Sequence, residues 1–347
     1  MLSRKDFFSC LSFSFRALLR SACMQSKTTA ENVQKNVDFE PLTLTEEDKQ
    51  RFEAIQAERV QSVRKQNSHS AEDFYERALA FIECGQDFLA LDDLKTAIKQ
   101  NPEFADAFAA RGALYRRMLD FESCIADCNK ALEINPKLAD AYVNRGLAWG
   151  QLGDFKNQAR DCNLAINIDP VNAFAYENSG WAYFELGDYQ RCISDCSKAL
   201  DIDESRAWSY NNRGSAYRRL ENFDLALSDL TRALSFEPTE ARFLKNRVEC
   251  YMRTDQPQLA VHDYTSLINL NPLDATFYVC RAMAYLRANE KEMALMDLNT
   301  VVHMKPKNGV PFALRAPIRA VNGDLKGFFE DTSKSMALGV DMDQDIL

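Results

Sequence analysis

Histidine is scarce, with three in 347 residues (His69, His262 and His303), and none lies near a cysteine pair in sequence. A Cys/His zinc site, which needs four ligands, is therefore not spelled out, and neither is a Ser–His–Asp arrangement. The 12 glycines are dispersed and form no loop that could cradle phosphates. No uncharged apolar run is long enough to cross a bilayer. Strong positive charge is missing too, since Lys+Arg 42 against Asp+Glu 51 leaves −9. Residues 1–30 hold five cations and one acid, and residues 31–69 hold six and eight, so residues 70–347 carry −11. A body of that sign is unsuited to general nucleic-acid binding.

Cysteine is not scarce. Ten are present, but scattered, without the dense framework of a small secreted domain. A reducing compartment is the default, which makes the cytoplasm the expected location.

The first thirty residues are basic, Ser-rich and acid-poor, with an apolar patch around Phe7 to Phe15. They have the make-up of a targeting segment. Against a twin-arginine signal, Lys5 stands for the second arginine and Arg16 interrupts the apolar stretch. Against a lipoprotein signal, Arg20 precedes Cys23 by three residues. A floppy or amphipathic leader is the simpler reading. Residues 31–70 read as a polar linker, in which Thr43-Leu44-Thr45-Glu46 forms a capping box for a helix reaching about Lys65.

From residue 71 the chain repeats. Proline recurs at 102, 136, 170, 238, 272 and 306, every interval being 34 or its double, with Glu204 in the one vacant place. Seven units result: 71–104, 105–138, 139–172, 173–206, 207–240, 241–274 and 275–308. Each opens with a helix carrying a large residue (Phe74, Phe108, Tyr142, Tyr176, Tyr210, Leu244, Tyr278). Four residues on comes a small one (Ala78, Gly112, Gly146, Gly180, Gly214, Val248, Ala282), and three further an aromatic (Phe81, Tyr115, Trp149, Tyr183, Tyr217, Tyr251, Tyr285). A turn such as Leu-Gly-Asp-Phe (152–155) leads to a second helix with a small or Cys stripe, for example Cys192, Cys196 and Ala199. Proline then stops it. From Gly309 an eighth, degenerate unit follows; Pro317 is expected to kink its first helix, and residues 309–340 are expected to form a polar cap.

These slots resemble the tetratricopeptide repeat family over residues 71–308 firmly and 309–340 loosely. The resemblance implies an all-α fold, an α-solenoid of seven to eight helix-turn-helix units in a right-handed superhelix, with a concave groove lined chiefly by first helices. One hairpin cannot bury both faces, so each depends on its neighbours.

Two charged columns run through the repeats. Arg77, Arg111, Arg145, Arg213, Arg247, Arg281 and Arg315 share one slot of the first helices, with Ser179 breaking the series. Asp93, Asp127, Asp161, Asp195, Asp229, Asp263, Asp297 and Asp331 share one slot of the second. Unbalanced acids about 10 Å apart would repel by about 1.7 kcal/mol per neighbouring pair at an effective dielectric near 20. The arginines are therefore read as structural partners of the aspartates, within a unit or across to the next. The alternative is that they face the groove and hold ligand carboxylates. Asp195, opposite Ser179, should be the least compensated acid.

Cys124/Cys128 and Cys192/Cys196 are i, i+4 pairs, and Cys162 shares a column with Cys128 and Cys196. They read as small buried thiols at helix contacts. No metal or other cofactor is expected.

For the groove, Asn144, Asn178, Asn212 and Asn246 recur at the period. An amide both donates and accepts, so such a column can read an extended backbone; equally, each can cap packing between units. The column resembles the asparagine ladder in the superhelix of O-linked N-acetylglucosamine transferase, which implies the first role by analogy. Phe174, Trp181, Phe184 and Trp208 are aromatics on the same face, followed by Arg218, Arg219, Arg242, Lys245, Arg253 and Arg287. Together they point to a protein or peptide partner with an aromatic or aliphatic anchor and acidic residues. The Lys/Asn/Lys/Arg clamp of tetratricopeptide co-chaperones is not reproduced, because Glu177, Trp181 and Cys280 stand where it needs cations.

The function expected is a non-catalytic interaction scaffold holding an extended peptide or partner helix. A second expectation is a membrane-associated or exported assembly factor tethered through residues 1–30. A glycosyltransferase-like enzyme would need a catalytic domain for which the repeats leave no room.

Overall fold

The computed structural model describes residues 57, 58, 60–63, 69–304 and 309–340. The expectations for the leader, for the Thr43–Glu46 capping box and for Pro306 fall outside them. Among the described residues there are helices and turns and no strand, the helices following one another in packed pairs. The fold is an all-α solenoid of stacked helix pairs.

The chain divides into two compact units after Asp154. The first contains α1 (Ala71–Glu83), α2 (Asp87–Gln100), α3 (Ala105–Arg117), α4 (Phe121–Ile134) and α5 (Ala139–Gln151). The second contains α6 (Phe155–Ile168), α7 (Ala173–Glu185), α8 (Tyr189–Ile202), α9 (Ala207–Arg219), α10 (Phe223–Phe236), α11 (Ala241–Arg253), α12 (Pro257–Leu270), α13 (Ala275–Arg287), α14 (Lys291–His303), α15 (Val310–Val321) and α16 (Leu325–Ala337).

The small slot sets how closely the two helices of a pair approach. A Cβ at Gly112 would stand 2.9 Å from Cys128 Sγ, one at Gly180 would stand 2.6 Å from Cys196 Sγ, and one at Gly214 would meet Leu230 Cγ at 3.1 Å. Glycine and cysteine thus fit each other across the pair, which accounts for the buried thiols Cys124, Cys128, Cys192 and Cys196.

Every turn within a pair places one residue at positive φ. Gly85, Gly153, Gly187 and Gly323 do so freely, whereas Leu119, Glu221, Asp255 and Asn289 adopt φ between 54 and 64 with side chains attached. The next residue donates back to the helix, as Gln86 N–H does to Phe81 O at 2.8 Å. Between pairs, an Asn or Asp side chain closes an Asx turn: Asn101 Oδ1 accepts from Glu103 N–H at 3.1 Å and Asn135 Oδ1 from Lys137 N–H at 3.0 Å. Asp203 Oδ1 does the same with Ser205 N–H at 3.0 Å, so the turn survives where Glu204 replaces proline.

In the last pair, helix α15 continues through Pro317 to Val321. The exposed residues are mixed: Val321, Leu325, Phe329 and Met336 stand beside Asp324, Lys326, Glu330 and Lys334. Arg315 turns inward onto Asp331 at 2.7 Å, and Arg319 also reaches Asp331 at 3.4 Å.

Candidate functional site

Position 213 introduces the site, because it separates charges that hold the fold from charges that face outward. Arg213 Nε and Nη2 donate to the two oxygens of Asp229, both at 2.8 Å, and Nη1 donates to Ser197 Oγ at 2.9 Å. Its stem lies against Tyr210, the guanidinium carbon 5.7 Å from the ring centroid. The hydrogen bond to Asp229 leads the influences that keep this guanidinium above its ordinary pKa. Arg77, Arg111, Arg247, Arg281 and Arg315 make the same two-toothed contact with Asp93, Asp127, Asp263, Asp297 and Asp331, at 2.6–2.8 Å. Each pair lies within its own repeat. Arg145 donates to Asn129 Oδ1 at 2.7 Å, and Asp161 is buried.

The fourth repeat departs from this pattern. Ser179 donates to Asp195 at 2.6 Å, a single short bond in place of a guanidinium fork. Burial pushes the Asp195 carboxyl above its usual range, while the Ser179 bond and the charge of Arg191 pull the other way. Arg191, four residues earlier on α8, lies over the Tyr183 ring at 5.1 Å.

Beside this gap, the first helices of the second unit form a recess of about 140 Å³ lined by Glu177, Asn178 and Trp181 on α7, Trp208 and Asn212 on α9, and Arg242 on α11. Glu177 is buried, and its carboxylate accepts from Arg206 Nε at 3.1 Å, Arg206 Nη2 at 2.7 Å and Ser209 Oγ at 2.8 Å. This acid is thus neutralised from behind the recess. The Arg242 guanidinium stands 5.1 Å from the Trp208 ring and 5.8 Å from Trp181. Trp208 is braced edge-on by Phe243 and Trp181 by the parallel ring of Phe184. Two indoles form the walls, two amides lie between them, and a cation stands at the mouth.

Of the residues expected to line the groove, this recess unites Trp181, Trp208, Asn178, Asn212 and Arg242. The four asparagines are not an evenly exposed ladder. Asn144 accepts from Arg116 at 3.1 Å and donates to Asp140 O at 2.9 Å, so both ends of its amide are used within the first unit. Asn246 donates to Asn211 Oδ1 at 2.8 Å and Ser215 Oγ at 3.1 Å, tying one repeat to the next. Asn178 donates to Phe174 O at 2.7 Å, and Asn212 is buried, accepting from Asn211 at 3.2 Å.

Several expected groove cations are likewise occupied. Arg218 pairs with Glu249, and Arg287 donates to Met252 O at 2.7 Å. Lys245 lies over Phe277 at 5.2 Å, while Arg219 and Arg253 are exposed. Phe184 packs beside Cys192 and Cys196, and Phe174, still partly exposed, carries the Arg206 guanidinium at 5.3 Å.

Sequence reasoning missed the supports of the recess: Arg206, Ser209, Asn211 and the role of Glu177. One signal was available. Arg206 occupies a helix N-cap slot where the equivalents include Asn172, Glu240 and Asp274, and a cation is poorly suited to capping. Among the described residues no group of three or more His, Cys, Asp or Glu could hold a metal ion. None of their helices is long and apolar enough to cross a membrane.

Tetratricopeptide repeat models match residues 105–138, 139–172, 173–206 and 207–240, four consecutive units of the period. No curated protein sequence matches the chain. Among solved structures, a tetratricopeptide repeat protein from Parabacteroides merdae ATCC 43184 matches at 21% identity and a TM-score of 0.51, over 72% of this chain and 99% of that one. PilW, described as a widely conserved type IV pilus biogenesis factor, matches at 19% identity and a TM-score of 0.51, over 57% of this chain and 91% of its own. At such identities the likeness is one of fold.

Proposed function

The chain belongs to the tetratricopeptide repeat family, a family of generally non-catalytic protein-interaction scaffolds, and from that premise we propose that its second unit binds an extended peptide over the Trp181–Trp208 recess. An aromatic or aliphatic side chain enters between the indoles. The peptide backbone meets the Asn178 and Asn212 amides, and an acidic residue faces Arg242. The observation that carries this reading is the placement of Arg242. It is exposed and held over two indoles, and the described residues give it no carboxylate partner. The neighbouring Glu177 is already satisfied by Arg206 and Ser209, so it does not compete for that cation. Stacked indoles and arginine are the residue types that dominate the energetics of protein contacts.

The test is titration of the full chain with a blocked, fluorescein-labelled peptide containing Phe-Asp-Glu-Leu, read by anisotropy. Trp181→Ala and Trp208→Ala should each weaken binding about thirtyfold, in line with loss of an aromatic anchor worth about 2 kcal/mol. Circular dichroism would report whether the helices remain intact. Binding of equal strength in folded Trp181→Ala would refute the assignment of the recess.

A further inference from the structure

A second and larger recess, of about 520 Å³, lies further along α11. Its apolar lining comes from Val248 and Met252 on α11, Tyr264 on α12, and Phe277, Cys280 and Met283 on α13. The polar groups around it are mostly committed. Glu249 is paired with Arg218, and Asp274 accepts from Thr276 N–H at 3.0 Å. Lys245 remains, exposed, its ammonium 5.2 Å from the Phe277 ring with no carboxylate partner among the described residues.

Arg242 belongs to the first recess and Lys245 to the second, and the two stand three residues apart on one helix. That spacing puts them on neighbouring turns of the same face, about 5 Å apart along the axis. Both are cations resting on aromatic rings, in a region whose sequence from 70 to 347 totals −11. Neither has a carboxylate partner among the described residues, and each lines one of the two hollows.

We propose that the two recesses form one bipartite acceptor for an acidic, extended segment of a partner protein. One apolar side chain sits between Trp181 and Trp208, a second fills the Val248–Met283 hollow, and carboxylates between them meet Arg242 and Lys245. The proposal rests on the reading of the first recess given above. The spacing of the anchors follows from the repeat. The first lies between α7 and α9 and the second between α11 and α13, two steps along the first helices. With packed helices about 8–10 Å apart and an extended chain advancing about 3.3 Å per residue, the anchors stand about five to six residues apart, with the acids in the places between. A segment with two apolar residues separated by about four or five positions that include acids fits, and a contiguous apolar run does not.

The experiment uses the full chain and four blocked peptides: Phe-Asp-Glu-Asp-Glu-Leu, the same peptide ending in serine, Phe-Asn-Gln-Asn-Gln-Leu, and the shortened Phe-Asp-Glu-Leu. Replacing the leucine with serine should weaken binding about tenfold, the size expected for a buried leucine side chain. In Met283→Glu, whose side chain lines the hollow at an exposed position, the leucine and serine peptides should bind alike. The Asn-Gln peptide should bind more weakly than the Asp-Glu peptide, and Lys245→Ala should reduce that difference. The shortened peptide, too short to reach both hollows, should lose as much as the serine peptide. If Trp181→Ala abolishes binding while leucine, serine and Met283→Glu make no difference, the bipartite acceptor is refuted and the first recess stands. If all four peptides bind irrespective of Trp181, or none binds, both readings fall.

Discussion

Replacing Ser179 with arginine would complete the internal column of paired charges, and the structure sets the size and pH dependence of the effect. In wild type, Asp195 receives one 2.6 Å bond from Ser179. An arginine in this slot elsewhere gives its aspartate two bonds, and a third to the residue sixteen positions earlier, as Arg315 Nη1 gives Asn299 at 2.7 Å. The corresponding residue before position 179 is Asn163, which now donates only its amide nitrogen, to Tyr183 Oη at 2.9 Å. Tyr176 stands where Tyr210 supports Arg213, so a surface for the stem is present. The substitution adds two charge-assisted hydrogen bonds beyond the one it replaces, one to Asp195 and one to Asn163, together about 3–6 kcal/mol. Ordering the arginine costs about 1.5–2 kcal/mol, and desolvating its guanidinium takes up most of the remainder. The net gain is about 1 kcal/mol at neutral pH, or about 2–4 °C in the melting temperature of a 150–250-residue unit.

The sign of the pH dependence is the sharper test. Asp195 has a raised carboxyl pKa in the folded chain because it is buried. A group of this kind holds its proton more tightly when folded, so stability falls as pH rises from the unfolded carboxylate pKa, about 3.9, through the folded value. In Ser179→Arg the guanidinium offsets the burial that raises this carboxyl, so the loss of stability on ionising it is removed. The advantage of the variant over wild type should therefore be absent near pH 3 and full by pH 7. Urea unfolding at both pH values, with amide hydrogen exchange of the α7 and α8 peptides, measures it. A gain that is the same at both pH values, or no slowing of exchange in α8 at pH 7, would refute the argument.

Two further substitutions probe backbone and packing. Leu119→Gly should stabilise the first unit by up to about 1 kcal/mol, because Leu119 holds φ 64 with its side chain 73% exposed and gains little there; Leu119→Ala, which keeps the strain, should not, and thermal melting compares them. Gly180→Ala should destabilise the second unit by about 1–3 kcal/mol through the 2.6 Å approach of its Cβ to Cys196 Sγ, and Cys196→Ala in the same chain should recover much of the loss. Equal stability of Gly180→Ala and wild type in urea would contradict the close packing of α7 on α8.

What was legible in the sequence, and what was not, divides along a physical line. A period is visible because each repeat solves the same packing problem: Gly214 opposite Leu230 and Gly180 opposite Cys196 are one solution with different atoms. The partner of each arginine is equally constrained, since opposite charges sixteen residues apart are joined in six of the repeats. The outward face has no such constraint. Which cations there are spoken for depends on single neighbours that the period does not predict: Glu249 takes Arg218, and the Met252 carbonyl takes Arg287, whereas Arg242 and Lys245 rest on rings alone. The asparagine column shows the same division: Arg116 bonds Asn144, whereas Arg218 in the same slot pairs with Glu249 and Asn246 bonds Asn211. A surface side chain is left available for a partner only after its neighbours have been satisfied. The recess at Trp181 therefore depends as much on Arg206 and Ser209, which occupy Glu177 from behind, as on the indoles themselves. Removing Arg206 should consequently weaken an acidic peptide without any direct contact being lost, because the freed Glu177 carboxylate would then compete for Arg242.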